Sequence, residues 1–199
     1  MPTQRFADAL VFANELHAKQ KRKTTGTPYF SHLMIVAGTV MEDGGSEDEV
    51  IAALLHDAIE DQARRYPGGE PKLRDDIRAR FGDEVLRLVE ACTEDYLMPD
   101  NHGRTVPWRA LREEYLKHVQ AADRRVRRIV CADKLHNVRS LIIAYRTQGD
   151  EVWQRFRTRS RDDQMWFHDE LAEILVAAGT GPLALELQDA VKYLRAATA

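Results

Sequence analysis

Apolar residues recur every three to four positions along most of the chain, and this spacing is typical of amphipathic helices. No stretch combines sustained alternation of apolar and polar residues with β-branched enrichment, which is the pattern of strands. The sequence therefore predicts an all-α fold. Helices are expected at approximately residues 5–19, 31–44, 46–61, 73–80, 84–91, 108–121, 123–145, 161–178 and 182–197.

Glycine, proline and small polar residues indicate where these helices are interrupted. The clearest loop is YPGGEP at 66–71, and a second polar connection is expected at 98–107. Ser46 followed by Glu49 is a capping-box signal for the start of the third helix. In the closing part of the chain, 146–199, apolar residues fall at helical spacing, so this part is expected to supply packing helices.

The length of 199 residues is that of one ordinary domain, so a single domain is expected over 1–199. A net charge of -3 argues against a general nucleic-acid binder, because such binding needs a clustered positive surface. The chain has no long uncharged apolar run and its first residues do not resemble a secretory signal. We therefore expect a cytoplasmic protein with no membrane contact, and the sequence predicts no particular oligomeric state.

The segment VIAALLHDAIED at 50–61 separates apolar side chains from chemically reactive ones. On a continuous helix its apolar residues share one face, whereas His56, Asp57, Glu60 and Asp61 fall within roughly 140° on the other. Imidazole and carboxylate groups suit divalent ions such as Mn²⁺, Fe²⁺, Co²⁺ or Zn²⁺. A solvated acidic helix is the alternative, but it explains less well a His-Asp pair directly after the most apolar part of the helix.

Further ligands for such an ion must come from other segments. His32 follows PYFS at the start of the second helix, and Asp133 interrupts an apolar stretch in VCADKLHN. A buried carboxylate is costly unless it is paired or bound to a metal, so Asp133 is a candidate ligand. Lys134 could instead be its partner. His136 is expected to pack or to support a ligand rather than to bind the ion itself.

The pattern formed by His32, His56-Asp57 and Asp133 resembles the HD phosphohydrolase superfamily. This resemblance implies a compact multi-helix HD-domain fold with one divalent metal ion. Three longer motifs make the match more specific: H-x-x-Q-x-R-K-x-x-G-x-P-Y-x-x-H at 17–32, ALLHDAIED at 53–61 and ADKLHNVRSL at 132–141.

Together with FGDEV at 81–85 and Thr93-Glu94-Asp95, these motifs resemble the hydrolase domain of RelA/SpoT-type alarmone enzymes. They also resemble the stand-alone small alarmone hydrolases of the metazoan SpoT homologue type. The resemblance covers about residues 5–145, and no second domain for alarmone synthesis is visible after it. It implies hydrolysis of the 3′-pyrophosphate of ppGpp or pppGpp, which releases pyrophosphate and GDP or GTP, usually with Mn²⁺.

The resemblance also implies roles for individual residues. The implied metal ligands are His32, His56, Asp57 and Asp133. The implied catalytic pair is Glu60 and Asp61, and the implied nucleotide-binding residues are Arg22, Lys23, Asn137 and Ser140. Ser140 stands where the family commonly has Thr. The basic run at 21–23 would offset the charge of a tetraphosphate, and Trp108 could line a nucleotide pocket in addition to a core role.

Three other functions stay open at the level of sequence. The first is an HD phosphohydrolase that acts on another phosphorylated nucleotide, including removal of the 2′-phosphate of NADPH. The second is an alarmone sensor without turnover, which the intact HD and ED residues argue against. The third is a nucleic-acid-binding helical protein, which is weaker because basic residues dominate none of the predicted helices. In the leading hypothesis the only partner is a small-molecule nucleotide.

Overall fold

The computed structural model describes residues 3–23, 25–93 and 106–198, and the regular elements in these ranges are helical. The α-helices are α1 (Gln4–Leu16), α2 (Phe30–Glu42), α3 (Glu47–Leu55), α4 (Ala58–Gln62), α5 (Gly69–Phe81), α6 (Asp83–Cys92), α7 (Trp108–Ala121), α8 (Arg124–Gln148), α9 (Arg161–Ala177) and α10 (Pro182–Ala197). Short 3₁₀ segments follow α4 at Ala63–Arg65 and α8 at Gly149–Arg155. Across the described ranges the only β pairing is an isolated bridge between Lys21 and Pro28, which confirms the all-α prediction.

Side-chain caps fix where several helices begin. The Ser46 hydroxyl accepts a hydrogen bond from the Glu49 backbone N–H, and the Glu49 carboxylate accepts one from the Ser46 N–H, so the predicted capping box is present. Asp123 caps α8 by accepting hydrogen bonds from two backbone N–H groups at 2.8 and 3.0 Å. Ser160 caps α9 in the same way, and Pro182 lies in the first turn of α10.

Some predicted boundaries were wrong. The first helix ends at Leu16 rather than near residue 19, and the predicted helix over 46–61 is divided between α3 and α4. The predicted loop at 66–71 is shorter, because α5 already begins at Gly69. Pro71 is compatible with this start, since a residue in the first turn of a helix has no helical partner for its N–H group. In the predicted connection at 98–107, residues 98–105 lie outside the described residues, as do positions 94 and 95 of the family motif.

Helix α3 lies at the centre of the fold, where it packs against α1, α2, α6 and α8. Each of its residues from Glu49 to Leu55 is buried, so α3 is enclosed by the protein on all sides rather than on one face. Ile51, Leu54 and Leu55 are fully buried. Each such side chain contributes about 1.5–3 kcal/mol to the free energy of unfolding. This packing holds the end of α3, and therefore His56, in a fixed position.

A buried ion-pair cluster joins α8 to the start of α3. The Arg128 guanidinium donates to Asp43 Oδ2 at 2.8 Å and also to the buried Glu49 carboxylate. Removing Arg128 would leave the Glu49 charge buried and unpaired, at a cost of about 3–5 kcal/mol. Because Asp133 lies further along the same helix, this cluster also sets the position of Asp133 relative to α3.

The closing helices pack onto the rest of the molecule. Helix α9 contacts α7, and α10 contacts both α8 and α9. One cluster of buried apolar residues extends along the described chain from Ala9 to Leu194. Among the described residues, no helix combines the length and the apolar character that crossing a membrane requires.

Candidate metal centre

Four side chains from three parts of the fold meet where α2, the α3–α4 junction and α8 converge. His32 Nε2 lies 3.2 Å from Asp133 Oδ1 and 3.8 Å from Asp57 Oδ2. His56 Nε2 lies 2.9 Å from Asp57 Oδ2 and 3.7 Å from Asp133 Oδ1. The structure thus brings together all four ligands that the sequence predicted. The ligand atoms of His32, His56 and Asp57 lie within 4.8 Å of one another, so this group could hold a metal ion.

The break between α3 and α4 makes this convergence possible. His56 has helical dihedral angles, but Asp57 has φ -97° and ψ 2°, which lies in the sparsely allowed bridge region. Adjacent side chains on an unbroken helix diverge by about 100°. At the break, the His56 imidazole and the Asp57 carboxylate instead point toward the same space. The predicted continuous reactive face over 56–61 was therefore wrong, although the residues it named all line one cavity.

The two histidine rings present their Nε2 atoms to the carboxylates. His56 Nδ1 lies 2.8 Å from the carbonyl oxygen of Ala53. A carbonyl oxygen only accepts, so Nδ1 carries the proton and Nε2 of the neutral ring has a lone pair. Within the described part of the chain, Nε2 of His32 and Nε2 of His56 are buried and have no hydrogen-bond partner. An imidazole lone pair and a carboxylate oxygen that face each other repel unless a proton or a cation lies between the two atoms. This set of two imidazoles and two carboxylates therefore fits a divalent ion.

The same charges perturb the imidazole in the absence of a cation. Burial favours the neutral form of His56, but the Asp57 and Asp133 carboxylates outweigh burial and raise the pKa of His56 well above its ordinary value. Although its surroundings disfavour the charged carboxylate, the positive charge of His56 holds the pKa of the partly exposed Asp57 below its usual range. The cluster therefore attracts positive charge strongly.

Two neighbouring residues orient the ligands. The Tyr29 hydroxyl donates a hydrogen bond of 2.5 Å to Asp57 Oδ2, and the Tyr29 ring packs edge-on against His32 at 5.3 Å. His136 Nδ1 lies 2.6 Å from His32 Nδ1, so one ring donates to the other. Such contacts fix the tautomer and the orientation of a metal-binding histidine. This is the supporting role that the sequence indicated for His136.

Asp133 has partners on both carboxylate oxygens. Lys134 Nζ lies 2.9 Å from Oδ2, so the lysine pairing considered from the sequence is present. Asn137 Nδ2 donates a hydrogen bond of 2.6 Å to Oδ1, which is also the oxygen nearest the two histidines. The Lys134 contact therefore occupies one oxygen and leaves the other facing the imidazoles. A lysine pair and a metal bond are compatible here.

A cavity of about 410 Å³ opens beside the candidate metal centre. Its walls include most of the residues that the sequence assigned to chemistry or to substrate: Arg22, Lys23, His56, Asp57, Glu60, Asp61, Asp133 and Asn137. Trp108 also lines it, as the sequence suggested. Ser140 is not part of its wall and instead lies behind the site, 3.5 Å from His136 Nε2. A role for Ser140 in binding a nucleotide stays a prediction.

Glu60 and Asp61 lie on α4, where both line the cavity and both are exposed. The pKa of Asp61 is raised above its usual value. The largest cause is the loss of solvent around its carboxylate, and the second is the negative charge of Asp57. Among the neighbouring charges, that of Asp57 does most to raise the Asp61 pKa. Gln20 Nε2 donates a hydrogen bond of 2.6 Å to Asp61 Oδ2 and opposes this shift.

Several residues that line the cavity were not found from the sequence. They are Gln20, Tyr29, Arg112, Tyr115, Lys134, Arg155, Phe156, Arg157, Gln164, Phe167 and His168. Six of them lie beyond residue 150, so the closing part of the chain forms part of the cavity wall in addition to packing. The basic run QRFRTRSR at 154–161 is a visible signal, but nothing in the sequence connects it to the distant His-Asp motif.

The cavity wall has more basic than acidic residues. Among the described residues that line it, seven are Lys or Arg and four are Asp or Glu. Arg155 also donates a hydrogen bond of 2.8 Å to the Lys23 carbonyl oxygen, which joins the closing segment to the basic loop. A divalent ion at the His-Asp cluster would add further positive charge. The cavity therefore suits a ligand with several negative charges.

Comparison with known proteins gives the same family from sequence and from fold. The family model described as HD domain matches residues 9–161. A protein of Aquifex aeolicus named guanosine-3′,5′-bis(diphosphate) 3′-pyrophosphohydrolase is 34% identical over 189 residues, which cover 94% of this chain and 23% of that protein. The human protein guanosine-3′,5′-bis(diphosphate) 3′-pyrophosphohydrolase MESH1 is 34% identical over 137 residues, which cover 67% of this chain and 68% of that protein.

Coverage differs greatly among these relatives. A Synechocystis protein named as a probable enzyme of the same activity is 37% identical over 133 residues, but the match covers only 16% of its length. The chain thus spans less than a quarter of the Synechocystis and Aquifex relatives, whereas it matches about two thirds of the human one.

Two solved structures share the fold. One, described as a metazoan orthologue of SpoT that hydrolyses ppGpp, has a TM-score of 0.72 at 24% identity and covers 97% of both chains. Another, from Listeria monocytogenes EGD-e, has a TM-score of 0.66 at 30% identity and covers 85% of this chain and 99% of that one. The likeness confirms the predicted HD-domain architecture. Because the family model matches more than half of the sequence, this chain belongs to the HD domain family.

Proposed function

We propose that this chain is a metal-dependent (p)ppGpp 3′-pyrophosphohydrolase, which converts ppGpp to GDP and pyrophosphate, or pppGpp to GTP and pyrophosphate. The observation that supports this proposal most directly is the shared cavity. It places the His-Asp cluster, the Glu60–Asp61 pair and a predominantly basic wall beside one another. The names of the Aquifex and human relatives point to the same substrate.

We propose His32, His56, Asp57 and Asp133 as the ligands of one divalent ion, and Mn²⁺ as that ion. Two imidazole nitrogens with two carboxylate oxygens form a borderline-to-hard donor set, which suits Mn²⁺ and related ions better than thiolate-seeking ones. When bound, such an ion supplies Lewis-acid activation of water and of a phosphoryl oxygen.

The remaining residues bind the substrate and move protons. In the hydrolysis, a bond forms between phosphorus and the water oxygen, and the bond from phosphorus to the ribose 3′-oxygen breaks. One proton leaves the water and one reaches the 3′-oxygen. Glu60 and Asp61 are the proposed proton carriers, because one carboxylate can accept a proton while the other donates one. Arg22, Lys23 and Asn137 are the proposed nucleotide-binding residues.

A panel of nucleotides tests this function. The purified chain, supplied with MnCl₂, is incubated separately with ppGpp, pppGpp, NADPH and GTP, and the products are separated and identified. Pyrophosphate together with GDP or GTP is expected from the two alarmones. Orthophosphate from NADPH, without turnover of ppGpp, would support the alternative 2′-phosphatase. Stoichiometric binding of ppGpp with no product over hours would support an alarmone sensor instead.

Loss of the basic loop should weaken substrate binding more than metal binding. Arg22 and Lys23 line the cavity, and each charge-assisted hydrogen bond to a phosphate contributes about 1.5–3 kcal/mol. Replacing both residues by Ala is therefore expected to raise KM for ppGpp by about tenfold or more. Steady-state kinetics at low and high salt measures this change, because phosphate attraction is screened by salt and stacking on the base is not.

Arg22 requires a separate check, since its guanidinium donates a hydrogen bond of 2.8 Å to Asn137 Oδ1 and Asn137 in turn contacts Asp133. Bound Mn²⁺ is therefore measured in parallel with KM. A control double variant, Lys117→Ala with Arg124→Ala, removes the same charge outside the cavity wall. An unchanged KM in the Arg22/Lys23 variant would mean that the basic loop does not bind the substrate.

A further inference from the structure

Gln20 connects the proposed catalytic pair to two buried side chains. Its amide nitrogen Nε2 donates a hydrogen bond of 2.6 Å to Asp61 Oδ2. Its amide oxygen Oε1 lies 2.7 Å from His17 Nδ1 and accepts a hydrogen bond from Gln62 Nε2. His17 and Gln62 are 2% and 8% exposed, so the amide oxygen is held by groups that the core keeps in place.

These contacts determine which way the Gln20 amide faces. An amide oxygen only accepts, so His17 Nδ1 must carry the proton that lies between them. In the opposite orientation, the Gln20 oxygen would face the Asp61 carboxylate, and two acceptors would oppose each other, which is unfavourable. Gln20 is therefore held as a donor toward Asp61.

The backbone around Gln20 is fixed as well. Its N–H donates to the His17 carbonyl oxygen at 2.9 Å, and its own carbonyl oxygen accepts from the Tyr29 N–H at 2.9 Å. The His17 ring stacks on the Tyr29 ring, with centroids 5.3 Å apart and an interplanar angle of 17°. Tyr29 also contacts Asp57, so the residues that position Gln20 belong to the structure that orients the metal ligand.

We propose that Gln20 is a positioning residue that holds the Asp61 carboxylate in the orientation needed for proton transfer. This inference rests on the proposed function, in which Asp61 carries a proton. Asp61 lies on the exposed side of α4, where a short side chain would otherwise sample several rotamers. The Gln20 contact uses Oδ2 and so assigns proton transfer to Oδ1.

Two substitutions separate the amide donor from the shape of the side chain. Gln20→Met keeps the length and removes both polar atoms, whereas Gln20→Glu keeps an acceptor for His17 and Gln62 but places a carboxylate against Asp61. Both are expected to lower kcat for ppGpp by about 10- to 100-fold, because a small misplacement of a reacting group has effects of this size. KM and bound Mn²⁺ are expected to stay near the wild-type values.

A matched control exists on α1, where Gln4 Nε2 donates a hydrogen bond of 2.9 Å to Asp8 Oδ1 on the protein surface. Gln4→Met removes the same kind of contact far from the site and should leave kcat unchanged. Thermal unfolding of each variant detects loss of structure. The positioning role would be overturned if kcat fell equally in Gln4→Met and in the Gln20 variants. It would also be overturned if the Gln20 variants lost their bound Mn²⁺.

The decisive comparison uses Asp61→Asn as the background. If Gln20 acts through Asp61, Gln20→Met combined with Asp61→Asn should have the same single-turnover rate as Asp61→Asn alone. A further fall of about tenfold in the double variant would show that Gln20 acts by another route.

If the wild-type chain hydrolyses ppGpp and Gln20→Met has the wild-type kcat, only the inference about Gln20 is overturned. Absence of ppGpp hydrolysis by the wild-type chain would instead overturn the proposed function and this inference with it.

Discussion

His56→Gln is expected to lower the affinity for Mn²⁺ by more than about 100-fold and to abolish turnover, because loss of a ligand exceeds the roughly 10- to 100-fold effect typical of a supporting residue. His56 is chosen because its Nδ1 is committed to the Ala53 carbonyl oxygen, which leaves Nε2 as the atom for the ion. Gln has a similar volume, but its neutral amide is a much weaker ligand for a divalent ion than an imidazole nitrogen.

Metal content and thermal unfolding measure this effect independently of activity. An ion that binds only the folded state adds about 2.7 kcal/mol to the free energy of unfolding at roughly 100 times its Kd. Added Mn²⁺ should therefore raise the Tm of the wild-type chain and leave the Tm of His56→Gln nearly unchanged. His118→Gln is a suitable control, because His118 Nε2 also contacts a backbone carbonyl, at 2.8 Å, but lies outside the cavity wall. Stoichiometric Mn²⁺ in His56→Gln would contradict the proposed ligand set.

The chemistry of the site was more predictable from sequence than its geometry. His56, Asp57 and Asp133 could be proposed in advance because a His-Asp pair and an isolated Asp stand out within apolar helical segments, and the resemblance to the HD superfamily added His32 to the set. The break at Asp57 was not predicted. Periodicity continues on both sides of it, and only one residue departs from helical dihedral angles. A pattern averaged over several residues does not detect such a change.

The part of the cavity wall formed by Arg112, Arg155 and Arg157 was not predictable for a different reason. Arg155 and Arg157 follow the basic loop by more than 130 positions, and they reach the cavity only because the 3₁₀ segment after α8 turns back toward it. Arg112 reaches it because α7 packs against α9. Such contacts depend on how helices are arranged in space, and the local spacing of residues carries no information about that arrangement.

The orientation of the Gln20 amide also could not be predicted from the sequence. The sequence places Gln20 inside a motif that resembles a family pattern, but it gives no partner for the amide. Its three contacts involve His17, Asp61 and Gln62, of which two lie more than 40 positions away. A hydrogen-bond network of this kind forms only when α4 and the segment between α1 and α2 are brought together.

Glu60→Gln and Asp61→Asn are each expected to lower kcat for ppGpp by about 100-fold or more, with bound Mn²⁺ and nucleotide affinity retained. Each substitution keeps the shape of the side chain and removes the ionisable oxygen, and general acid–base groups contribute about 10²- to 10⁴-fold to rate. In Asp61→Asn, the new side-chain amide oxygen could still accept a hydrogen bond from Gln20, so the position of the side chain should be preserved. The loss would then reflect proton transfer rather than disorder.

Single-turnover rates, metal content and ppGpp binding are measured on the same preparations. Glu113→Gln with Asp162→Asn is a control, because both residues are exposed and neither lines the cavity. The double variant Glu60→Gln with Asp61→Asn should be less impaired than the product of the two single effects predicts, because residues that serve one proton-transfer step act as a unit. Near wild-type turnover in both single variants would remove the pair from the mechanism. A large loss in only one of them would identify that carboxylate as the proton carrier and leave the other with a role in binding.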